Sequence, residues 1–382
     1  MAASLMHGFP AAPEGQVTLA NWRTPPFNRW AFHHVREIVP SADIANDPAH
    51  VWQLPSRPVA MEIEAFLEET HTDGMVIVHR GAIVFERYAN GMAPEAPHIL
   101  MSVSKSMLGL LAGALVERAA LDPERRVTDL VPEVAATAYQ GATIRHLLDM
   151  RAGVAFDEDY LATSGPVIAY RKATGWNPLQ PADAPSDLRS FYQELEKPDG
   201  PHGGRFHYVS PNTDLLGWVI ERATGRRYAE LMSELLWKPM GAERSAYVTV
   251  DRLGAPRCAG GMCTTVRDLA RVGQLIVEDG RRVIPKRWLD DMLRNGDPQA
   301  WAAGSFVEYF PGLPMRYRSK WYLLDGDAPL LFGFGIHGQN LFIDRRREIV
   351  IAKASCQPLP LDAGLIAKTM SMVEGLRALL AG

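Results

Sequence analysis

The apolar positions of the chain fall into runs of different texture, and each texture implies an element. Gly-Met-Val-Ile-Val-His at 74–79 and Ala-Ile-Val-Phe-Glu-Arg-Tyr at 82–88 are β-rich runs joined by Arg80-Gly81, which predicts a hairpin. A short amphipathic helix is expected just before them, over 61–70. From 102 to 120 the pattern changes: Met107, Leu108, Leu110, Leu111, Leu115 and Val116 leave almost no polar face. A helix apolar nearly all round must be buried inside the protein. Shorter helical patterns follow at 144–150, 213–223, 228–236 and 266–278, separated by Pro and Gly. Strand character returns at 333–343 and 348–354 around an Asp344-Arg-Arg-Arg turn, and an amphipathic helix closes the chain over 363–380.

Strands near both ends with helices between them imply an α+β fold, an antiparallel sheet flanked by helices beside a mostly helical inserted subdomain. Residues 1–121 and 331–382 form the discontinuous sheet-containing domain of this reading, and 122–330 the helical one. The first 58 residues carry Pro10, Pro13, Pro25, Pro26, Pro40, Pro48, Pro55 and Pro58, too dense for long helices or central strands. Their aromatics, Trp22, Phe27, Trp30, Phe32 and Trp52, predict an irregular segment packed on the core.

Composition narrows the function classes. With 382 residues, 47% apolar and 22% charged, the chain can bury a large core, and a formal charge of −4 supplies no field favouring nucleic acid or an anionic membrane. Cys258, Cys263 and Cys356 are too few and odd in number for a disulfide framework. No Lys or Arg precedes Arg23, and the longest apolar stretch, 108–116, falls short of a membrane span. A cytoplasmic protein acting on a small molecule is expected, with a homodimer left open.

Candidate chemistry begins at the buried helix. Ser102-Val-Ser-Lys105 is the chain's single S-x-x-K, and its spacing places a hydroxyl and an amine on one helical face. A serine needs a base to become a nucleophile, and a lysine serves only when burial or neighbouring charge lowers its pKa. The first turn of an apolar helix supplies the burial, and its N-terminal dipole also disfavours a cation. With 16 Ser and 8 Lys, a chance match arises about one third of the time, so placement carries the weight. The plainer alternative makes Ser102 an N-cap. Tyr208 in Tyr-Val-Ser, 106 residues after Ser102, offers a phenol able to pass protons, or else a packed core tyrosine.

Ser102-Val-Ser-Lys105, Tyr208-Val-Ser210 and Gly335-Ile-His-Gly-Gln339 together resemble the serine β-lactamase and penicillin-recognising superfamily. The branch most resembled holds the 6-aminohexanoate-dimer (nylon oligomer) hydrolases and class C-like carboxylesterases. Gly8-Phe-Pro, 17–22, Asn28-Arg-Trp30, 143–150, Glu158-Asp-Tyr160 and 267–270 extend the likeness over nearly the whole chain. The resemblance implies a β-lactamase-like fold with Ser102 as the acylated nucleophile, Lys105 as its base and Tyr208 in proton transfer. It also implies an oxyanion hole from the backbone N–H groups of Ser102 and Ile336, and substrate contacts from Tyr160 and His337. His337 stands where relatives carry a basic K-T-G, which disfavours a β-lactamase. Relatives that cleave the nylon dimer use an acid about a dozen residues after the Tyr160 position, whereas 161–171 here contains none and ends in Arg171.

The expected function is therefore a cofactor-free serine hydrolase working through an acyl-enzyme, a carboxylesterase on short esters. The alternatives are a 6-aminohexanoate-dimer amide hydrolase and a non-catalytic acyl-binding module. No metal is expected, since His33-His34 and the His202/His207 pair lack a third ligand, and Asp157-Glu-Asp159 reads as a solvated turn.

Overall fold

The computed structural model describes residues 5–381. Residues 1–4 of the opening stretch without Lys or Arg lie outside that range. Among the described residues eleven strands follow in chain order: β1 (Ser41–Ile44), β2 (Thr72–His79), β3 (Ala82–Tyr88), β4 (His98–Ile99), β5 (Ala246–Thr249), β6 (Met262–Thr264), β7 (Met315–Arg318), β8 (Trp321–Leu324), β9 (Leu330–Gly335), β10 (Gln339–Asp344) and β11 (Ile349–Ser355). They form a seven-stranded antiparallel sheet of order β3-β2-β11-β10-β9-β8-β7 and a four-stranded sheet of order β1-β5-β6-β4. The hairpin turns at Arg80 and Gly81, both with positive φ.

Both faces of the large sheet are covered, which is why its central strands read as unbroken apolar runs. Side chains alternate along a strand. Val76, Val78, Val350 and Ala352 join the core with the helices Val103–Glu117 and Val266–Val277. Met75, Ile77, Ile349 and Ile351 join the other, with Phe66, Leu67 and the closing helix Ala363–Ala381. Val350 opposes Val78 and Ile351 opposes Ile77, so one register brings residues 272 and 274 positions apart onto common faces. The helix Val103–Glu117 is buried from Val103 to Leu115, as its apolar pattern requires.

Three features go beyond the sequence reading. The second sheet was unannounced, because its strands are two to four residues long and carry no alternation. β7 and β8 lie inside the stretch read as helical and extend the large sheet. The run read as one strand over 333–343 breaks at Ile336–Gly338, where His337 takes a φ of 60°. The proline-rich segment is packed as expected: Trp22 and Phe32 are fully buried, and Trp22 Nε1 donates to the Trp176 carbonyl at 3.1 Å. Among the described residues no helix is long and apolar enough to cross a membrane.

Candidate active site

The position of Ser102 is set by the short strand β4. Its last residue, Ile99, donates to the Phe32 carbonyl at 2.9 Å, and Leu100 continues the pairing to the Met262 carbonyl at 2.8 Å. Met101 then adopts a φ of 45°, a left-handed conformation costing a side-chain-bearing residue about 1–3 kcal/mol. The chain swings from this residue into the buried helix, with Ser102 at the N-cap position. Ser102 caps nothing: its Oγ lies 2.8 Å from Lys105 Nζ.

Lys105 is 2% exposed, and its Nζ also donates to the Ala259 carbonyl at 2.7 Å. Burial lowers its pKa to about 7, with Glu158 and Asp214 pulling upward and Arg257 downward. The amine is thus poised to exchange a proton near neutrality. Ala259 is itself held in place, since its N–H donates to Asp214 Oδ1 at 2.7 Å. Asp214, on the helix Ser210–Thr224, forms a buried ion pair with Arg257, and Tyr170 donates its hydroxyl to the same carboxylate.

Tyr208 precedes that helix, and its phenol ring lies 4.8 Å from Lys105 Nζ and stacks on Phe306 at 4.5 Å. Burial, reinforced by Glu158, drives the phenol well above its usual range, while the Ser102 hydroxyl opposes that shift. Ser210, closing the Tyr-Val-Ser motif, donates its backbone N–H to Glu158 Oε2 at 2.7 Å, and its hydroxyl also faces that carboxylate. The Tyr160 hydroxyl donates to Glu158 Oε1 at 3.1 Å. Of the acidic triplet, Asp157 and Asp159 are exposed as a solvated turn requires, but Glu158 points into the site. No sequence signal separates it from its neighbours.

The end of β9 closes the other side. A Cβ on Gly335 would stand 2.8 Å from the Leu100 carbonyl oxygen and 3.0 Å from the Ser102 nitrogen, so only glycine permits this approach. It brings Ile336 to the wall of the cavity that holds Ser102. Among the described residues neither the Ser102 nor the Ile336 N–H donates to a protein acceptor. His337 does not reach either cavity at the site. It is 2% exposed, its Nδ1 is 2.7 Å from the Gln357 carbonyl, and its ring packs edge-on against Phe32. Burial holds its pKa near 4. His337 therefore shapes the turn beside Ile336.

Two chambers meet at Glu158 and Tyr160. One, about 30 Å³, holds Ser102, Ile336, Trp176, Arg23, Arg171 and Arg257. The other, about 300 Å³, holds Tyr208, Phe156, Phe306, Asp157, Asp159 and Glu308. Sequence reasoning missed Glu158, Asp214, Arg257 and Arg23, which reach the site from segments without a local motif. His33 and His34 bond to the carbonyls of Arg29 and Trp30 one turn earlier, and His202 lies over His146. Among the described residues no group of three or more His, Cys, Asp or Glu side chains could hold a metal ion.

The Beta-lactamase family profile matches residues 59–367. A 6-aminohexanoate-dimer hydrolase of Paenarthrobacter ureafaciens is 37% identical over 366 residues, covering 92% of this chain and 91% of the relative. A solved Bacillus anthracis structure, whose name proposes the same activity, superposes with a TM-score of 0.87 at 26% identity over 97% of this chain and 98% of its own. EstCE1, a hydrolase with promiscuous acyltransferase activity, shares the fold at a TM-score of 0.62 and 16% identity over 80% of this chain and 95% of its own. A serine beside a buried lysine, on a fold matched along almost its full length, makes this chain a serine hydrolase of the beta-lactamase family.

Proposed function

We propose that the protein hydrolyses short-chain esters through an acyl-enzyme on Ser102. The observation that carries this reading is the 2.8 Å approach of Ser102 Oγ to Lys105 Nζ, an amine that burial holds near pKa 7. Neutral Lys105 takes the serine proton as Oγ forms a bond to the substrate carbonyl carbon. The oxygen that becomes negative is received by the Ser102 and Ile336 N–H groups. The carbonyl then re-forms, the bond to the leaving oxygen breaks, and that oxygen receives its proton from Tyr208, whose raised pKa keeps the phenol protonated. Tyr208 is reprotonated from Lys105. Water repeats the sequence on the acyl carbon, giving its proton to Lys105, and releases the acid with Ser102 restored. Tyr160 flanks the leaving-group path at the junction of the chambers. The cysteines, all buried and unpaired, support a reducing compartment.

Hydrolysis of a 6-aminohexanoate-dimer amide is the second reading, favoured by the 37% identical relative of that name. The arginine-lined wall beside Ser102 weighs against it, because a guanidinium repels an acyl chain ending in ammonium. The test is hydrolysis of a short p-nitrophenyl ester by wild type and by Ser102→Ala, with intact mass read on the same samples. Turnover should fall about a thousandfold or more in the variant, with an unchanged fold. An active Ser102→Ala protein would remove Ser102 as the nucleophile.

A further inference from the structure

We propose that the cavity beside Ser102 is a carboxylate-binding acyl subsite, so that preferred substrates are esters or amides of short acyl chains ending in an anion. This inference rests on the acyl-enzyme reading and adds the substrate class to it. Three guanidiniums line this chamber, Arg23, Arg171 and Arg257. Only Arg257 has an ion-pair partner, Asp214. Among the described residues neither Arg23 nor Arg171 has a carboxylate within 4.0 Å. Arg171 spends one N–H on the Tyr160 carbonyl at 2.9 Å, and Arg23 spends one on Asn177 Oδ1 at 2.5 Å. Among the described residues Arg23 Nε is buried with no hydrogen-bond partner. The guanidinium is held 5.6 Å and 5.7 Å from the ring centres of Trp22 and Trp176, so its position is fixed by packing.

Among the described residues the single acid on the wall is Glu158, whose oxygens accept from Ser210 and Tyr160 while its charge acts on Arg171. With Asp214 behind the wall already paired to Arg257, one guanidinium charge remains unmatched. Burial, and then repulsion from Arg171 and Arg257, lowers the Arg23 pKa to about 9, a cost that a bound anion relieves. A carboxylate is the natural fit, since a guanidinium offers two parallel donors to two oxygens.

The second chamber has the opposite character. Asp157, Asp159, Glu158 and Glu308 line it together with Tyr208, the proposed donor to the leaving group. An anionic leaving group is repelled there, and a neutral or cationic alcohol or amine is accepted. The chamber beside Ser102 is the smaller of the two, which favours a short acyl chain over a long one. The substrate class is thus a half-ester or half-amide of a short dicarboxylic acid.

Three esters separate the cases: mono-p-nitrophenyl glutarate with the carboxylate on the acyl side, neutral p-nitrophenyl butyrate, and 4-acetoxybenzoate with the carboxylate on the leaving group. Wild type should favour the glutarate over the butyrate by about tenfold in kcat/KM, and Arg23→Gln and Arg171→Gln should each shrink that ratio by about tenfold. A ratio at or below unity, a ratio unmoved in both variants, or preference for 4-acetoxybenzoate overturns the proposal. Calorimetric binding of glutarate to Ser102→Ala, with and without Arg23→Gln, is independent of turnover. Arginine-dependent binding without any ester hydrolysis would keep the subsite and reject the hydrolase reading. Hydrolysis without such binding would do the reverse.

Discussion

At the level of single residues the proposed chemistry turns on Lys105. A lysine in water keeps its proton to about pH 10.4, and a protonated amine cannot accept one from serine. Burial brings Lys105 to about 7, so the active, neutral form accumulates as pH rises through that value. Accordingly kcat/KM for a neutral ester should climb through about pH 7 to a plateau, and a flat profile from about pH 5.5 to 8.5 would remove Lys105 from the base role. Lys105→Arg places a permanently charged group on the same face, and activity should drop about a thousandfold at every pH. Ser102 and Lys105 were legible because three-residue spacing fixes their meeting on any helix. Glu158 was not, since its inward turn depends on Ser210, which is 52 positions away in sequence.

Elements hold these residues in place, and glycine and buried charge mark where they press together. Gly335 ends β9 against the turn that carries Ser102, and Gly335→Ala would drive a methyl into the Leu100 carbonyl and the Ser102 N–H. The expected result is a fall in kcat of about tenfold or more with an unchanged circular dichroism spectrum, because the misplaced group is at the reacting centre. Unchanged kcat would show that β9 does not position Ser102. The helix Ser210–Thr224 acts through Asp214, which orders both Arg257 and Ala259. Asp214→Asn leaves a buried guanidinium unpaired and should cost about 3–5 kcal/mol in denaturant unfolding, with the Asp214→Asn/Arg257→Met double variant recovering much of it. Failure of the second change to recover stability would mean that Asp214 acts through Ala259 alone. The hairpin and the long buried helix could be read from local pattern, whereas β5, β6, β7 and β8 could not. Strands of three or four residues carry too little alternation, and their partners supply the register.

For the whole molecule, burial of bases sets the pH dependence of stability. Lys105 and Lys353 are lowered to about 7 and Lys320 well below its usual value, in each case first by burial. The unfolded chain keeps those protons to about pH 10.4, so it binds more protons than the native state above pH 7, and stability rises with pH there. His33 and His337, held near 4 by burial, act with the same sign between about pH 4 and 6.5. The thermal midpoint should therefore climb from about pH 5 to about pH 8, before thiols of the unfolded chain ionise near pH 8.5. A midpoint falling across that range would contradict the burial of these groups. The sequence by itself determined the α+β class, the hairpin, the buried helix and the pairing of Ser102 with Lys105, because those follow from periods of two and 3.6 residues. Tertiary structure alone decided which distant groups share the site: Arg23 from the proline-rich segment, Glu158 from a loop, and Asp214 and Arg257 from the middle of the chain. Their meeting depends on packing between segments far apart in sequence, and no local periodicity encodes it. The cationic chamber beside Ser102 is a product of that packing.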